Sequence, residues 1–280
     1  MKNLTGARIL ADSISLTGKR LTTFEVVIPR IVLAEFNTHR TMSRNSASSR
    51  AIPVEKQIAR VEREPFIPEY WGKNQKGMQA EVELDEAGQE LAKQAWLESR
   101  DLAVAQARKL LELGVHKQLT NRLLEPFMWQ TIICSATDLE NFFALRCHPD
   151  AQPEIRAAAV AMREVLAAST PTLVVTGGWH LPLVPDLEQL QAEFGIEDIK
   201  RISVGRCARV SYMTHDGVRD PQADIDLCNR LIDSGHMSPT EHVATPGDSG
   251  RRWPRYGNFS GWQQYRQTIP NEDNFGARPA

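Results

Sequence analysis

The chain has 280 residues, 41% of them hydrophobic, and its 33 basic and 35 acidic residues leave a formal charge of -2. That length buries a core as one large domain or two small ones. The balanced charge excludes a global attraction to nucleic acid or to an anionic membrane, so any bound anion must be held by a local cluster of arginines. Cys134, Cys147, Cys207 and Cys228 form no Cys-x-x-Cys pair, the usage of a reduced intracellular protein. The N-terminus lacks the apolar core of a signal peptide, and no stretch approaches the ~20 apolar residues of a bilayer span. The expectation is a cytoplasmic protein with no membrane partner and no direct nucleic-acid partner.

In chain order, the Val- and Ile-rich run Thr23 to Leu33 predicts one or two short strands broken near Pro29. A serine-rich segment follows, Asn37 to Arg50, carrying Arg40, Arg44 and Arg50. Glu81 to Leu113 has helical spacing of apolar residues with a stop at Gly114, and a second helical stretch ends before Pro126. Asp138 to Leu145 is compatible with helix. Pro153 to Ala168 is a clear one, with Pro153 in the first turn and Ile155, Ala159, Met162 and Leu166 as its buried stripe. Thr172 to Thr176 predicts a strand, Asp186 to Phe194 a short helix, Ile202 to Tyr212 a strand, and Pro221 to Asp233 a helix stopped at Gly235. From Thr245 onward no periodicity is visible. Helices and strands mixed without βαβ alternation argue for α+β.

Three segments can carry chemistry. In Thr38-His39-Arg40-Thr41-Met42-Ser43-Arg44-Asn45-Ser46-Ala47-Ser48-Ser49-Arg50, guanidinium groups, hydroxyls and loop amides could together grip a phosphate. By composition it reads either as a solvated basic loop or as a folded anion-binding loop. In Gly235-His236-Met237-Ser238-Pro239-Thr240-Glu241-His242, two histidines flank a carboxylate, but Pro239 breaks the helical spacing that a zinc pair uses. A turn with Ser238 capping a helix from Pro239 is the plainer reading, and no metal is expected. Between these lies Arg122 to Ile155, with Asn141-Phe142-Phe143-Ala144-Leu145-Arg146 and Ala151-Gln152-Pro153-Glu154-Ile155.

Taken together these segments resemble the flavin-dependent thymidylate synthases. The first resembles the signature of an Arg-His-Arg triplet followed after seven residues by Ser, with Thr38 in place of the first Arg, Ser46 in place of Glu, and Ala51 in place of Tyr. The second resembles Gly-His-x-Ser-Pro-Phe-Glu-His with Thr240 for Phe, and Ala208-Arg209-Val210-Ser211 resembles the family's flavin-contacting strand. The third departs at Ser135-Ala136-Thr137-Asp138, which replaces Asn-x-Arg-Ser and brings Asp138 and Glu140 toward the flavin pocket. In the family the second block precedes the signature, whereas here it follows, as in a circular permutation.

The resemblance implies one α+β domain over 1–280, with the thymidylate synthase-complementing-protein-like fold of mixed helices packed on a small sheet. Within it, 1–168 would hold the signature and nucleotide segment, 200–245 the permuted block, and 246–280 a tail of unassigned role. It implies one-carbon transfer to C5 of a pyrimidine deoxynucleoside monophosphate, with FAD as cofactor and with NADPH and methylenetetrahydrofolate, a reduced folate, as co-substrates. The first choice is dUMP; dCMP methylation or hydroxymethylation is the alternative, and an inert nucleotide- or flavin-binding protein is the reading from another class. It assigns catalysis to Arg146, Ser48 and His236. Nucleotide binding falls to Glu35, Thr38, Ser46, Ser48, Ser49, Arg50, Arg122 and Arg146, and flavin and folate contacts to His39, Arg40, Asn141, Ser135, Ser211, His236, Ser238 and Glu241. It implies a homotetramer with composite sites. Cys147, beside Arg146, is the candidate for a covalent route, and Trp253, Tyr256, Trp262 and Tyr265 form either a folate-stacking platform or simple packing.

Overall fold

Residues Arg20–Pro29 form β2, the spine of the molecule, because Phe24, Val26 and Ile28 alternate onto one face and every one of them is fully buried. The computed structural model describes residues 4–211, 220–247, 254–274 and 276. β2 pairs antiparallel with β1 (Gly6–Ser15) on one side and β4 (Trp129–Ala136) on the other. The short β3 (Ser43–Ser46) adds beyond β4, and β5 (Thr172–Val174) lies parallel to the end of β1, giving the order β3-β4-β2-β1-β5. A mixed sheet with helices packed on it is the α+β class that the sequence predicted.

α6 (Pro153–Ala168) lies on this sheet and inserts Ile155, Ala158, Ala159 and Met162 against Phe24, Val26 and Ile28. α5 (Glu140–Arg146) adds Phe142, which meets Phe36 of α1 (Leu33–Asn37) edge-on at 5.8 Å. A second core joins α2 (Val54–Arg63) to the long α3 (Glu86–Glu112) and to a 3-10 segment, Asn121–Phe127, that follows the single turn α4 (Lys117–Thr120). Gly114, with φ +78°, takes the left-handed conformation just past the end of α3. None of the described helices is long and apolar enough to cross a membrane.

The C-terminal part carries α7 (Leu187–Glu193), α8 (Ile196–Ala208) and α9 (Pro221–Asp233). The strand expected over Ile202 to Tyr212 is instead α8 followed by a 3-10 turn, Arg209–Ser211; Tyr212 lies outside the described residues. Every residue from Ile202 to Ala208 is buried, so the helical period has no polar face to show it and the β-branched residues mimic a strand. The chain then returns through β6 (Ala244–Pro246), β7 (Arg255–Tyr256), β8 (Phe259–Ser260) and β9 (Trp262–Gln264). Trp262 is fully buried with Leu21, Val174, Ala244 and Phe259, and Tyr265 is 6% exposed, so both are packing residues. Tyr256 is half-buried beside them in sequence, and Trp253 lies outside the described residues.

Gly205 sets the approach of α8 to α9. A Cβ there would lie 2.3 Å from the Asp224 carbonyl oxygen, which is backbone and cannot swing away. Gly205→Ala is expected to force the helices apart and lower stability by about 3 kcal/mol, the upper part of the range for overpacking. A chemical denaturation midpoint equal to wild type would refute this close fit.

Candidate functional site

β3 is the carrier of the site. Its backbone pairs with β4, so Arg44 lies opposite Cys134 and Ser46 opposite Ile132, and the Arg-rich segment is ordered as a sheet edge rather than solvated as a loop. Asn45, 8% exposed, fixes its other side by donating from Nδ2 to the Cys207 carbonyl at 3.0 Å. That carbonyl belongs to the last turn of α8, where helical partners run out, so one side chain ties the signature strand to the distant helix. The Asn45 Oδ1 atom remains buried and without a hydrogen-bond partner among the described residues.

A cleft of about 580 Å³ opens beside this strand. Ser46, Ser48 and Arg50 of the signature segment line it together with His236, Ser238 and Pro239. Arg44, Asn45, Gln118 and Ala208 also line it. Among the described residues no carboxylate lines it, and two guanidinium groups do, so its field favours an anion. Arg50 is exposed and has no acidic partner among the described residues, leaving its donors available. The volume is that of a small-molecule site.

Arg146 stands one residue behind this lining. Its Nε–H donates to His39 Nε2 at 2.9 Å, while the His39 carbonyl accepts from Arg44. Burial first, then the charges of Arg146 and Arg44, hold the His39 pKa below its ordinary value, so the ring is neutral at pH 7 and able to accept. Edge-on contact with Phe142 at 4.9 Å orients it further. The terminal nitrogens of Arg146 have no partner among the described residues.

The structure gathers Ser46, Ser48, Arg50, His236 and Ser238 of the expected site and leaves others elsewhere. Ser135 is fully buried, hydrogen-bonded to Thr23 at 2.6 Å and to His242 at 2.8 Å, and does not reach the cleft. Ser49 is buried, and its carbonyl accepts from Asn121. Arg122 pairs with Glu125 at 2.7 Å, Thr38 donates to the Glu35 carbonyl, and Glu35 keeps a buried, unpartnered Oε2 outside the cleft. Arg40 and Asn141 are exposed away from the cleft lining. Ser211 ends the 3-10 turn after α8, and its side chain lies outside the described residues.

Ser238 makes no cap: the turn Ser238–Glu241 is 3-10 with Met237 before it and no side-chain cap bond. Glu241 pairs with Arg266 at 2.7 Å while His242 is buried and His236 exposed, so these three do not converge on a metal. Asp138 is held by Lys19 at 2.5 Å and by Ser260 at 2.7 Å, which occupies the carboxylate expected near the flavin, and Glu140 is exposed. Partial burial pushes the Cys147 thiol above its ordinary pKa, the opposite of an activated nucleophile. Arg44, Asn45 and Gln118 are the polar cleft residues that sequence reasoning did not assign. Arg44 and Asn45 were visible inside the Arg-rich segment, whereas nothing local marks Gln118.

A family model described as thymidylate synthase complementing protein matches residues 20–172, just over half of the chain. No curated protein matches it. Among solved structures, a UMP/dUMP methylase, PolB from Streptomyces cacaoi, bound with 5-Br UMP, superposes with a TM-score of 0.50 at 16% identity, over 60% of this chain and 90% of that one. The same methylase with 5-Br dUMP gives 0.42 at 18% identity, over 53% and 66%. The first likeness establishes a shared fold.

Proposed function

Because the chain belongs to the thymidylate synthase complementing protein family, we propose that it transfers a one-carbon unit to C5 of a pyrimidine nucleotide, dUMP first, using FAD, methylenetetrahydrofolate and NADPH. The observation that carries this is the cleft that signature hydroxyls and guanidinium groups line together with His236 and Ser238, with no carboxylate in its lining among the described residues. Arg50, Ser46 and Ser48 would hold the nucleotide phosphate, the first by paired charge-assisted bonds and the others through hydroxyls. Asn45 Oδ1 is a buried acceptor in want of an N–H, which both a uracil ring and an isoalloxazine ring carry, so this acceptor fits either group. His236 and Ser238 would complete the wall against the flavin and folate. Bound flavin supplies the reducing equivalents for the transferred carbon.

C5 of a pyrimidine is a poor nucleophile, and a fixed guanidinium beside a ring carbonyl stabilises the charge that must build there. Arg146 has this role in our reading: neutral His39 sets its orientation through Nε and leaves its terminal nitrogens for the ring. Arg146 does not line the cleft that holds Ser48 and Arg50 in the same chain. We therefore read the site as composite, completed by a second copy within a homotetramer. We also read the chain order as a circular permutation, supported by the packing of Ser238–Glu241 directly beside β3 although it lies nearly 200 residues later.

The test is mass spectrometry of the product after incubation with flavin, methylenetetrahydrofolate and NADPH, offering dUMP, UMP and dCMP in parallel, with light scattering on the same sample. A gain of one methyl on dUMP by a tetramer is expected. A hydroxymethyl product or preference for dCMP would replace the substrate assignment. A fully active monomer would remove the composite site, and no flavin binding with no product would leave an inert binder.

A further inference from the structure

A second pocket, of about 470 Å³, lies apart from the cleft, where residues 65–71 cross between the first turns of α3 and α6. Pro65 and Pro68 keep this crossing extended, and Trp96 Nε1 donates to the Phe66 carbonyl at 2.8 Å to pin it. The pocket is aromatic-walled: Phe66 meets Trp129 edge-on at 5.4 Å, and Tyr70 and Trp71 of the extended segment also line it.

Two polar atoms in its lining residues are buried and have no hydrogen-bond partner among the described residues, Trp129 Nε1 and Glu154 Oε2. Buried polar groups are nearly always paired, so one unsatisfied donor and one unsatisfied acceptor in a single pocket call for a ligand that offers the converse of each. Glu69, Glu86 and Glu90 add three more carboxylates against one ammonium, Lys93, which already approaches Glu90 at 3.8 Å. The field is negative, opposite in sign to that of the cleft, and it repels phosphate and folate tails. Aromatic faces under a negative field attract cations.

We propose that this pocket binds a small organic cation of the amino-alcohol class, an alkylammonium that carries an oxygen acceptor a few atoms from its charge. The ammonium sits over the aromatic wall with Glu154 as its counter-ion, and the oxygen accepts from Trp129 Nε1–H. None of these residues lines the nucleotide cleft, so the site stands whether or not the methylase reading does.

The experiment is a calorimetric titration of the full-length protein with protonated 2-(dimethylamino)ethanol, which keeps one N–H for Glu154, with its neutral carbon isostere 3-methyl-1-butanol, with trimethylammonium, and with pterin as a planar amino-heterocycle. Saturable binding of the amino alcohol is expected, at least tenfold tighter than the neutral isostere and several-fold tighter than trimethylammonium, which lacks the acceptor. Glu154→Gln should weaken the amino alcohol at least tenfold, and Trp129→Phe should abolish its preference over trimethylammonium while keeping the ring. Equal binding of the neutral isostere, preference for pterin, no saturation by any cation at millimolar concentration, or an unchanged affinity in a folded Glu154→Gln protein would each overturn the assignment. If Glu154→Gln does not fold, Trp129→Phe and the isostere comparison decide.

Discussion

Arg50→Ala should lower kcat/KM for the pyrimidine nucleotide about 100-fold and leave the fold intact. Charged hydrogen bonds contribute about 1.5–3 kcal/mol each, and loss of a paired contact near the upper value corresponds to about two decades. The guanidinium is exposed and has no acidic partner among the described residues, so its removal opens no cavity and strands no buried charge. Surface changes of that kind stay within about 0.5 kcal/mol of wild-type stability. Because a phosphate grip acts on bound substrate and transition state alike, the loss should fall mainly on KM. Arg50→Lys restores the charge but not the planar fork, and should recover only part of the affinity. The contrasting variant is Arg146→Ala, whose loss should fall on kcat, because ring polarisation matters where charge develops. An Arg50→Ala protein with wild-type kcat/KM would detach the signature segment from substrate binding.

How far the sequence disclosed this arrangement differs from element to element. α6 and α9 were readable to the residue, since Pro153 and Pro221 open them and apolar stripes run their length. The Ile202–Ala208 part of α8 was misread as a strand because every residue of it is buried, and an unburied face is what writes helical period into a sequence. β4 was missed although it sits between β2 and β3, since from Ile132 to Ala136 it is buried on both faces and shows no alternation.

In the site, the family resemblance pointed to Ser46, Ser48, Arg50, His236 and Ser238, all of which the cleft contains. It could not find which polar side chains the core had already engaged. Ser135 meets Thr23 from 112 residues away and Glu241 meets Arg266 from 25, and no local pattern encodes either pairing.

The core should also weaken in mild acid, starting above the pH at which carboxylates titrate. A chain of buried hydrogen bonds runs from Ser13 to His180 Nδ1 at 2.8 Å, from His180 Nε2 to Thr23 at 2.8 Å, and through Ser135 to His242 Nδ1. It joins β1, β2 and β4 to the loop before β6, and His242 Nε2 ends it without a partner among the described residues. Burial drives both imidazoles down to about 3; His180 raises no barrier to this beyond a small opposing pull from Asp12, and for His242 the neighbouring His180 adds to the drop. In the unfolded chain a histidine titrates near 6.5.

The folded state thus binds fewer protons than the unfolded state between about pH 3 and 6.5, and stability falls as pH falls through that window, fully present only above it. Each ring contributes about 1.4 kcal/mol per pH unit, so the pair removes about 5 kcal/mol by pH 4.5, as much as the whole stability of many domains. Asp12, kept below the usual carboxylate range because bonds from Arg20, Ser169 and Thr22 outweigh its burial, adds its own loss only at lower pH. Denaturation midpoints at pH 7 and 4.5 measure the effect, and His242→Asn, which keeps a polar group facing Ser135 but cannot ionise there, should halve the difference. An unchanged pH dependence in that variant would mean that the buried chain does not govern acid unfolding.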